Sequence, residues 1–316
     1  MKATCDSSWN KATARLQGAV RRSLFRLHGC LHDTVTIPTL QGRLTIPTHD
    51  RGIASSLYQR RQYEFDSSRR TIAFLKDHNL IPRRGATMFD IGANLGMISI
   101  GLVLAGDIER ALAIEPEPTN FKLLSRNVAQ NHLTDRIVCF PAALGAQVAT
   151  LTMELSPKNP GDHRIRTRPT SDAQERHGES QRPTVEVPSL PLDQVVQRAE
   201  VAEAGLAAPS LVWLDVQGYE GYVFEGGRKL LNAGVPAVAE IWPYGILRAG
   251  MSLERFAAIV GEFWTDYWVE RRGRFVRYPI EVFDRLLDEL GDDGHFENVV
   301  FTRAVSGAAS PFPRPR

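Results

Sequence analysis

Residues 90–96 read Asp90-Ile-Gly-Ala-Asn-Leu-Gly96, with Asn94 between two glycines, Gly92 and Gly96. The apolar run Ala86–Ile91 comes before them and has the length of a buried strand. The run Leu95–Ala105 comes after and has the length of a helix. Glycines at a strand-to-helix turn let a ligand approach the main chain. The first N–H groups of the helix are free to meet it. Glu115 lies 19 residues after Gly96 and closes the next apolar run, Ala111-Leu-Ala-Ile114. An acid in that place can accept hydrogen bonds from ribose hydroxyls. Together these residues suit a nucleoside-bearing cofactor.

Two such cofactors are open at this point, a nicotinamide dinucleotide and S-adenosylmethionine. A dinucleotide fingerprint runs Gly-x-Gly-x-x-Gly, so that a pyrophosphate can sit on the helix terminus. Here three residues separate Gly92 from Gly96. Asp90 would repel a pyrophosphate and attract a sulfonium or an ammonium. The reading favours S-adenosylmethionine, with a nicotinamide oxidoreductase as the enzyme alternative and a non-catalytic nucleoside-binding module as the other.

The elements that must hold these residues follow from the apolar pattern. Strands are expected at Ala86–Ile91, Arg110–Glu115, Arg136–Pro141, Ser210–Val216, Pro236–Trp242, Thr265–Glu270 and Glu297–Thr302. Helical periodicity runs over 95–105, 119–131, 220–232 and 253–263, with Thr119 as a candidate cap. This alternation predicts an α/β fold, a doubly wound, mostly parallel seven-stranded sheet of Rossmann-like type. Upstream, Thr34–Pro38 and Arg43–Pro47 flank Gln41-Gly42 and predict a hairpin, and 55–78 predicts one helix.

The chain divides into a basic extension with the hairpin (1–60), a catalytic domain (61–305) and a disordered tail (306–316). The segment Ser156–Pro183 interrupts the domain with four prolines, six basic and four acidic residues and almost nothing apolar. It lacks the material for a core of its own. A flexible insertion and a lid over the acceptor are both open readings. The N-terminus sets Lys2, Lys11, Arg15, Arg21, Arg22 and Arg26 against Asp6, and 15–27 is expected as a solvated or docked amphipathic helix.

Composition narrows the class. The chain has 316 residues, 43% hydrophobic and 23% charged, with a net charge of +2. That excludes a disordered or collagenous chain and gives no field for non-specific nucleic-acid binding. Cys5, Cys30 and Cys139 are far apart, and no histidine spacing suits a metal, so neither a disulfide framework nor a zinc site is expected. A cytoplasmic location is expected. The longest apolar run, Met97–Gly106, is too short to span a membrane.

In order along the chain stand Tyr63-Glu64, Asp90–Gly96, Ala113-Ile-Glu-Pro-Glu-Pro118, Asn120-Phe-Lys-Leu-Leu124 and Arg126-Asn-Val128. Ala142-Ala-Leu-Gly145, Leu190-Pro-Leu-Asp193, Trp213-Leu-Asp-Val-Gln-Gly-Tyr-Glu220 and Glu240 follow. This ordered set resembles the FkbM family of S-adenosylmethionine-dependent methyltransferases, over roughly 60–245. The resemblance implies a class I methyltransferase that methylates a hydroxyl on a small molecule or saccharide acceptor. It places Glu64, Asp90, Gly92, Asn94, Gly96, Glu115, Ala142 and Asp215 on the cofactor. It places Asp215 and Glu240 at the chemistry, where either carboxylate could serve as general base. No metal, no specific nucleic acid and no membrane span are expected. One departure stands out. The family carries Asp-Val-Glu-Gly where this chain has Asp215-Val-Gln217-Gly218, so an amide replaces a carboxylate.

Overall fold

Side chains alternate across the strands, and that alternation places one apolar layer on each face of a central sheet. The structure is a computed structural model that describes residues 18, 20–157, 159–167 and 176–303. The basic residues before Gly18 and the expected tail at 306–316 lie outside the described residues.

Residues 20–31 form helix α1. The hairpin strands β1 (Thr34–Thr39) and β2 (Gly42–Pro47) follow, then α2 (Ile53–Arg60), α3 (Phe65–Asp77), β3 (Thr87–Ile91), α4 (Met97–Leu104), β4 (Arg110–Ile114), α5 (Pro118–Gln130) and β5 (Ile137–Phe140). An excursion comes next: β6 (Ala143–Leu144), β7 (Ala149–Glu154), β8 (Arg164–Ile165) and β9 (Thr184–Leu190). The chain returns through α6 (Leu192–Val196) and α7 (Ala199–Glu203) to β10 (Leu211–Leu214), α8 (Glu220–Gly226), α9 (Arg228–Asn232) and β11 (Ala237–Ile241). It ends with α10 (Pro243–Arg248), α11 (Leu253–Phe263), β12 (Asp266–Arg271), β13 (Arg274–Pro279), α12 (Phe283–Leu290) and β14 (Glu297–Thr302).

The central sheet has the order β13-β12-β14-β11-β10-β3-β4-β5. From β11 to β5 the pairs are parallel, and β14, β12 and β13 run antiparallel at the other side. All seven strands expected from the apolar runs are present, and β13 adds an eighth at the edge by hairpin pairing with β12. The chain winds outward from β3 through β4 to β5, then returns to β10 on the other side of β3. That reversal leaves a crevice at the carboxyl ends of β3 and β10, where open α/β sheets bind ligands.

Phe89, Ile91, Leu112, Ile114, Val212 and Leu214 face one layer with Phe224, Phe256 and Trp264. Met88, Ala111, Ala113, Leu211 and Trp213 face the other, with Ile100, Leu124, Leu44 and Ile46. The hairpin therefore shares a core with α4 and α5. Asn127 on α5 holds it there: its Oδ1 accepts from Thr45 N at 2.7 Å, and its Nδ2 donates to Thr45 O at 3.2 Å and Leu95 O at 2.9 Å.

Two local expectations change. The single helix over 55–78 is two helices, because Arg61 and Glu64 take left-handed φ angles of 62° and 54°. The α5 cap is Glu117, not Thr119: its Oε2 accepts from Asn120 N at 2.6 Å, with Pro118 at the first helical position. Proline there needs no N–H partner, a signal readable in Glu117-Pro118.

The described part of the insertion is folded against the body. It supplies β8 to a second sheet of order β6-β9-β7-β8. Charges substitute for the missing apolar core. The buried Arg164 reaches Glu154, Asp162 and Glu179, and the buried Arg182 reaches Glu154 and Asp162. Arg166 adds a third guanidinium against Glu154. Among the described residues no helix is long and apolar enough to cross a membrane.

Candidate cofactor and acceptor site

The crevice opens into a cleft of about 1020 Å³, part of it open solvent. Its floor is the turn after β3. Gly92 and Ala93 donate to Ile114 O at 3.0 and 2.9 Å, which pulls the turn over the end of β4. Gly92 has φ +87°, and a Cβ there would lie 1.9 Å from the Asp215 carbonyl. The glycine is required where the ends of β3 and β10 meet. Gly96 (φ +84°) caps α4 against Leu124 and does not line the cleft. Asn94, also left-handed at φ 51°, does line it.

Asp90 is buried at the end of β3, and its Oδ2 accepts from Ser99 N at 3.2 Å and from the Ser99 hydroxyl. Burial raises its carboxyl to about 6, against the pull of Ser99, and the charge of Asp215 adds to the rise. Glu115 is buried at the end of β4 and accepts one main-chain N–H on each oxygen, from Glu117 and Asn94, both at 2.9 Å. Burial pushes it up to about 7 against those two bonds. Neither acid has a basic partner among the described residues. Ala142 is buried beside them along the same wall.

Across the cleft a second set of acids gathers around Gln217. Gln217 Nε2 donates to Asp215 Oδ1 at 2.6 Å and to Glu240 Oε1 at 3.2 Å. Asp215 is exposed to the cleft, yet the surrounding protein raises it to about 6, with Gln217 pulling it down and Asp162 adding to the rise. Water in the open cleft softens that push, and a filled cleft strengthens it. Glu240 is half-buried and held well above the ordinary carboxylate value, first by burial and then by the charges of Asp215, Glu220 and Glu64. Glu64, at the cap of α3, faces the cleft and is raised by burial and by Asp215. Tyr63 beside it is raised too, by burial and then by Glu64.

Glu220 fixes the turn that presents these groups. Its Oε1 accepts from Val216 N at 3.1 Å and Gly218 N at 3.3 Å, closing a loop in which Gln217 (φ 55°) and Gly218 (φ 99°) are left-handed. A Cβ on Gly218 would meet the Gly245 carbonyl carbon at 2.1 Å. Glu220 Oε2 has no partner among the described residues, and burial raises this carboxyl to about 7.

The insertion forms the roof. Pro160, Gly161, His163, Arg164 and Ile165 line the cleft. The Pro160 carbonyl accepts from Asn94 Nδ2 at 3.4 Å and from Asn120 Nδ2 at 3.2 Å. His163 Nδ1 accepts from Ser156 N at 2.9 Å, and burial holds its pKa below the usual histidine value, so the neutral ring carries its proton on Nε2. Of the residues singled out in sequence, Glu64, Asp90, Gly92, Asn94, Glu115, Ala142 and Asp215 line the cleft, and Glu240 joins through Gln217. Asn120, His163 and Asn298 were not singled out as site residues. Asn298 is paired with Glu240 across β14 and β11, a register that no local pattern announces. Among the described residues no cluster of acids, histidines or cysteines could hold a metal ion.

Comparisons with known proteins give a family for the chain. The methyltransferase FkbM domain matches residues 90–273, more than half of the chain. Methyltransferase sdnD of Sordaria araneosa is 28% identical over 152 residues, which is 43% of this chain and 58% of that protein. The chain thus spans little more than half the length of this curated relative. Among solved structures, methyltransferase FkbM of Methylobacillus flagellatus KT aligns with a TM-score of 0.40 at 18% identity, over 69% of this chain and 43% of its own. The M1A22 tRNA methyltransferase TrmK of B. subtilis aligns with a TM-score of 0.38 at 12% identity, over 77% and 66% of the two chains.

Proposed function

The chain belongs to the methyltransferase FkbM family, and on that premise we propose that it methylates a hydroxyl of a small molecule or saccharide with S-adenosylmethionine as donor. Family membership displaces the nicotinamide reading. The observation that carries the proposal is the acid set Asp90, Glu115 and Asp215 at three strand ends, with no arginine or lysine paired to any of them among the described residues. Such an acceptor set fits a ligand that brings its own positive charge and its own hydroxyl donors. Glu115 would take the ribose hydroxyls, and the turn at Gly92–Asn94 the amino-acid end.

When bound, S-adenosylmethionine supplies a methyl group on a cationic sulfur, already activated for displacement. The protein then has to position the acceptor and accept one proton. Asp215, the one that lines the cleft, serves as the base, and Glu240, held well above its ordinary value by burial and by the charge of Asp215, donates. A hydroxyl fits this pair. It donates to Asp215, accepts from Glu240 with one lone pair and attacks with the other. A neutral amine has a single lone pair and cannot do both. Glu64 and Asp215 on the cleft wall also disfavour acceptors that carry phosphate or carboxylate.

Calorimetric titration with S-adenosylhomocysteine and with NAD tests the cofactor. Heat from NAD and none from S-adenosylhomocysteine would sink the proposal. Methyl transfer to paired hydroxyl and amine acceptors then tests the oxygen.

A further inference from the structure

Gln217 stands where the family pattern has an acid, and its amide is placed between two carboxyl groups rather than toward solvent. One nitrogen lies 2.6 Å from Asp215 Oδ1 and 3.2 Å from Glu240 Oε1, so the two acceptor oxygens are at most about 6 Å apart. At that separation two negative charges on one side of a closed cleft repel strongly, and the pair holds a shared proton. Gln217 Nε2 donates to Asp215 Oδ1 and Glu240 Oε1, so the shared proton belongs on an oxygen that does not accept from the amide.

We propose that Gln217 is a positioning residue, an amide bridge that holds Asp215 and Glu240 at a fixed separation and keeps Asp215 the ionised member of the pair. This rests on the methyl-transfer reading of the cleft. With Oδ1 held by the bridge, Asp215 keeps its other oxygen for the acceptor. As the acceptor oxygen forms its bond to the methyl carbon, the carbon–sulfur pair stays on sulfur and the hydroxyl proton passes to Asp215. A glutamate at 217 would set a third acid against the first two. An asparagine would keep the left-handed turn, which its short side chain tolerates, but fall short of Glu240.

Other titratable groups face the pair from every side: Glu64 and Tyr63 ahead of α3, Asp90 on β3, Asp162 in the insertion and Glu220 on α8. None of these changes in the Gln217→Glu and Gln217→Asn variants; Gln217→Asn reports on the loss of the bridge alone, and Gln217→Glu on its loss together with an added charge.

The first experiment needs no acceptor. Carbon-13 NMR of labelled Asp and Glu carboxyls, in the complex with S-adenosylhomocysteine, follows the titration of Asp215 and Glu240. Both variants should raise the Asp215 midpoint by about one unit, a change that a residue of merely structural importance would not produce. Midpoints that coincide with the parent in both variants overturn the bridge, whatever the chain methylates. The second experiment measures methyl transfer against pH. Rate rises with pH as Asp215 loses its proton, and in both variants this acid limb should move upward. Acceptor kcat should fall about 10–100-fold, with KM and S-adenosylhomocysteine affinity little changed. An unmoved limb with full kcat in Gln217→Asn also overturns the proposal. If the parent moves no methyl group at all, the functional reading fails, and the NMR result still decides the bridge.

Discussion

Asp215 and Glu115 are both strand-end acids, and their surroundings give them separate tasks. Glu115 is enclosed and already accepts two main-chain N–H groups, so it suits a fixed partner such as ribose. Glu115→Ala should weaken S-adenosylhomocysteine binding by about 1.5–3 kcal/mol, the range for hydrogen bonds to a charged group. A loss under about two-fold in Kd would remove it from the ribose. Asp215 opens to the cleft, where we propose it as the base. Asp215→Asn keeps the shape, so binding should persist while single-turnover methyl transfer drops about 10²–10⁴-fold. Parent-like turnover would move the base to Glu240 or Glu64. Asp90, Glu115 and Asp215 are all raised toward about 6 or 7. In the free protein their contribution to stability is therefore full below about pH 4 and is lost as pH climbs through 6 to 7. Over the same range they become anionic and ready for a cation. The preference for S-adenosylmethionine over the uncharged sulfur of S-adenosylhomocysteine should therefore grow from about pH 5 to about pH 8, and a flat or falling Kd ratio would contradict this. Much of this set was legible in the sequence, because Asp90, Glu115 and Asp215 each follow an apolar run. What the sequence hid was the reason for Gly92. The glycine serves the meeting of β3 with β10, and Gly92→Val would collide with the Asp215 carbonyl and disturb the fold along with the site.

The strands were readable because their burial is apolar, and the insertion was not because its burial is ionic. Val212 and Trp213 announce a strand by type alone, whereas Arg164, Glu179 and Arg182 announce a solvated loop. Yet Arg164 is 4% exposed and Glu179 0%. Their partners lie on β7 and within the insertion itself, so no short window of sequence shows the pairing. The outer flank is aromatic. Tyr244 on α10 donates to Glu179 Oε1 at 2.6 Å, and the Arg164 guanidinium lies 4.7 Å from the Trp242 ring centroid. An arrangement of this kind is sensitive to losing one member. Arg164→Met leaves Glu154 and Glu179 short of a counter-charge, a change that costs about 3–5 kcal/mol in buried pairs. The expected result is local opening: limited proteolysis should cut first within 156–183, while thermal unfolding of the sheet stays cooperative. Resistance equal to the parent would mean that Arg182 alone holds the roof.

At the scale of the molecule, the chain leaves the sheet after β5 and comes back at β10, and between these points Ala142–Leu144, Met153, Pro160, Gly161 and His163–Ile165 line the cleft. The excursion begins and ends side by side, since β6 pairs with β9 through Ala143–Ser189 and Leu144–Leu190. The doubly wound order was legible from the alternation of strand and helix. The place of the excursion over the cleft was not, because it depends on contacts such as Asn120 to Pro160 that span 40 residues. That contact has a consequence for timing. The Pro160 carbonyl is held by Asn94 from the floor and by Asn120 from α5, so floor and roof are fastened at one atom. We predict that a spent cofactor bound between them leaves more slowly than it would without that fastening. The fastening should lengthen the dwell of the spent cofactor on the enzyme, a quantity separate from the methyl step. Asn120→Ala removes one of the two fastenings. Stopped-flow dissociation of S-adenosylhomocysteine should speed up about ten-fold, and an unchanged off-rate would show that the exit lies elsewhere.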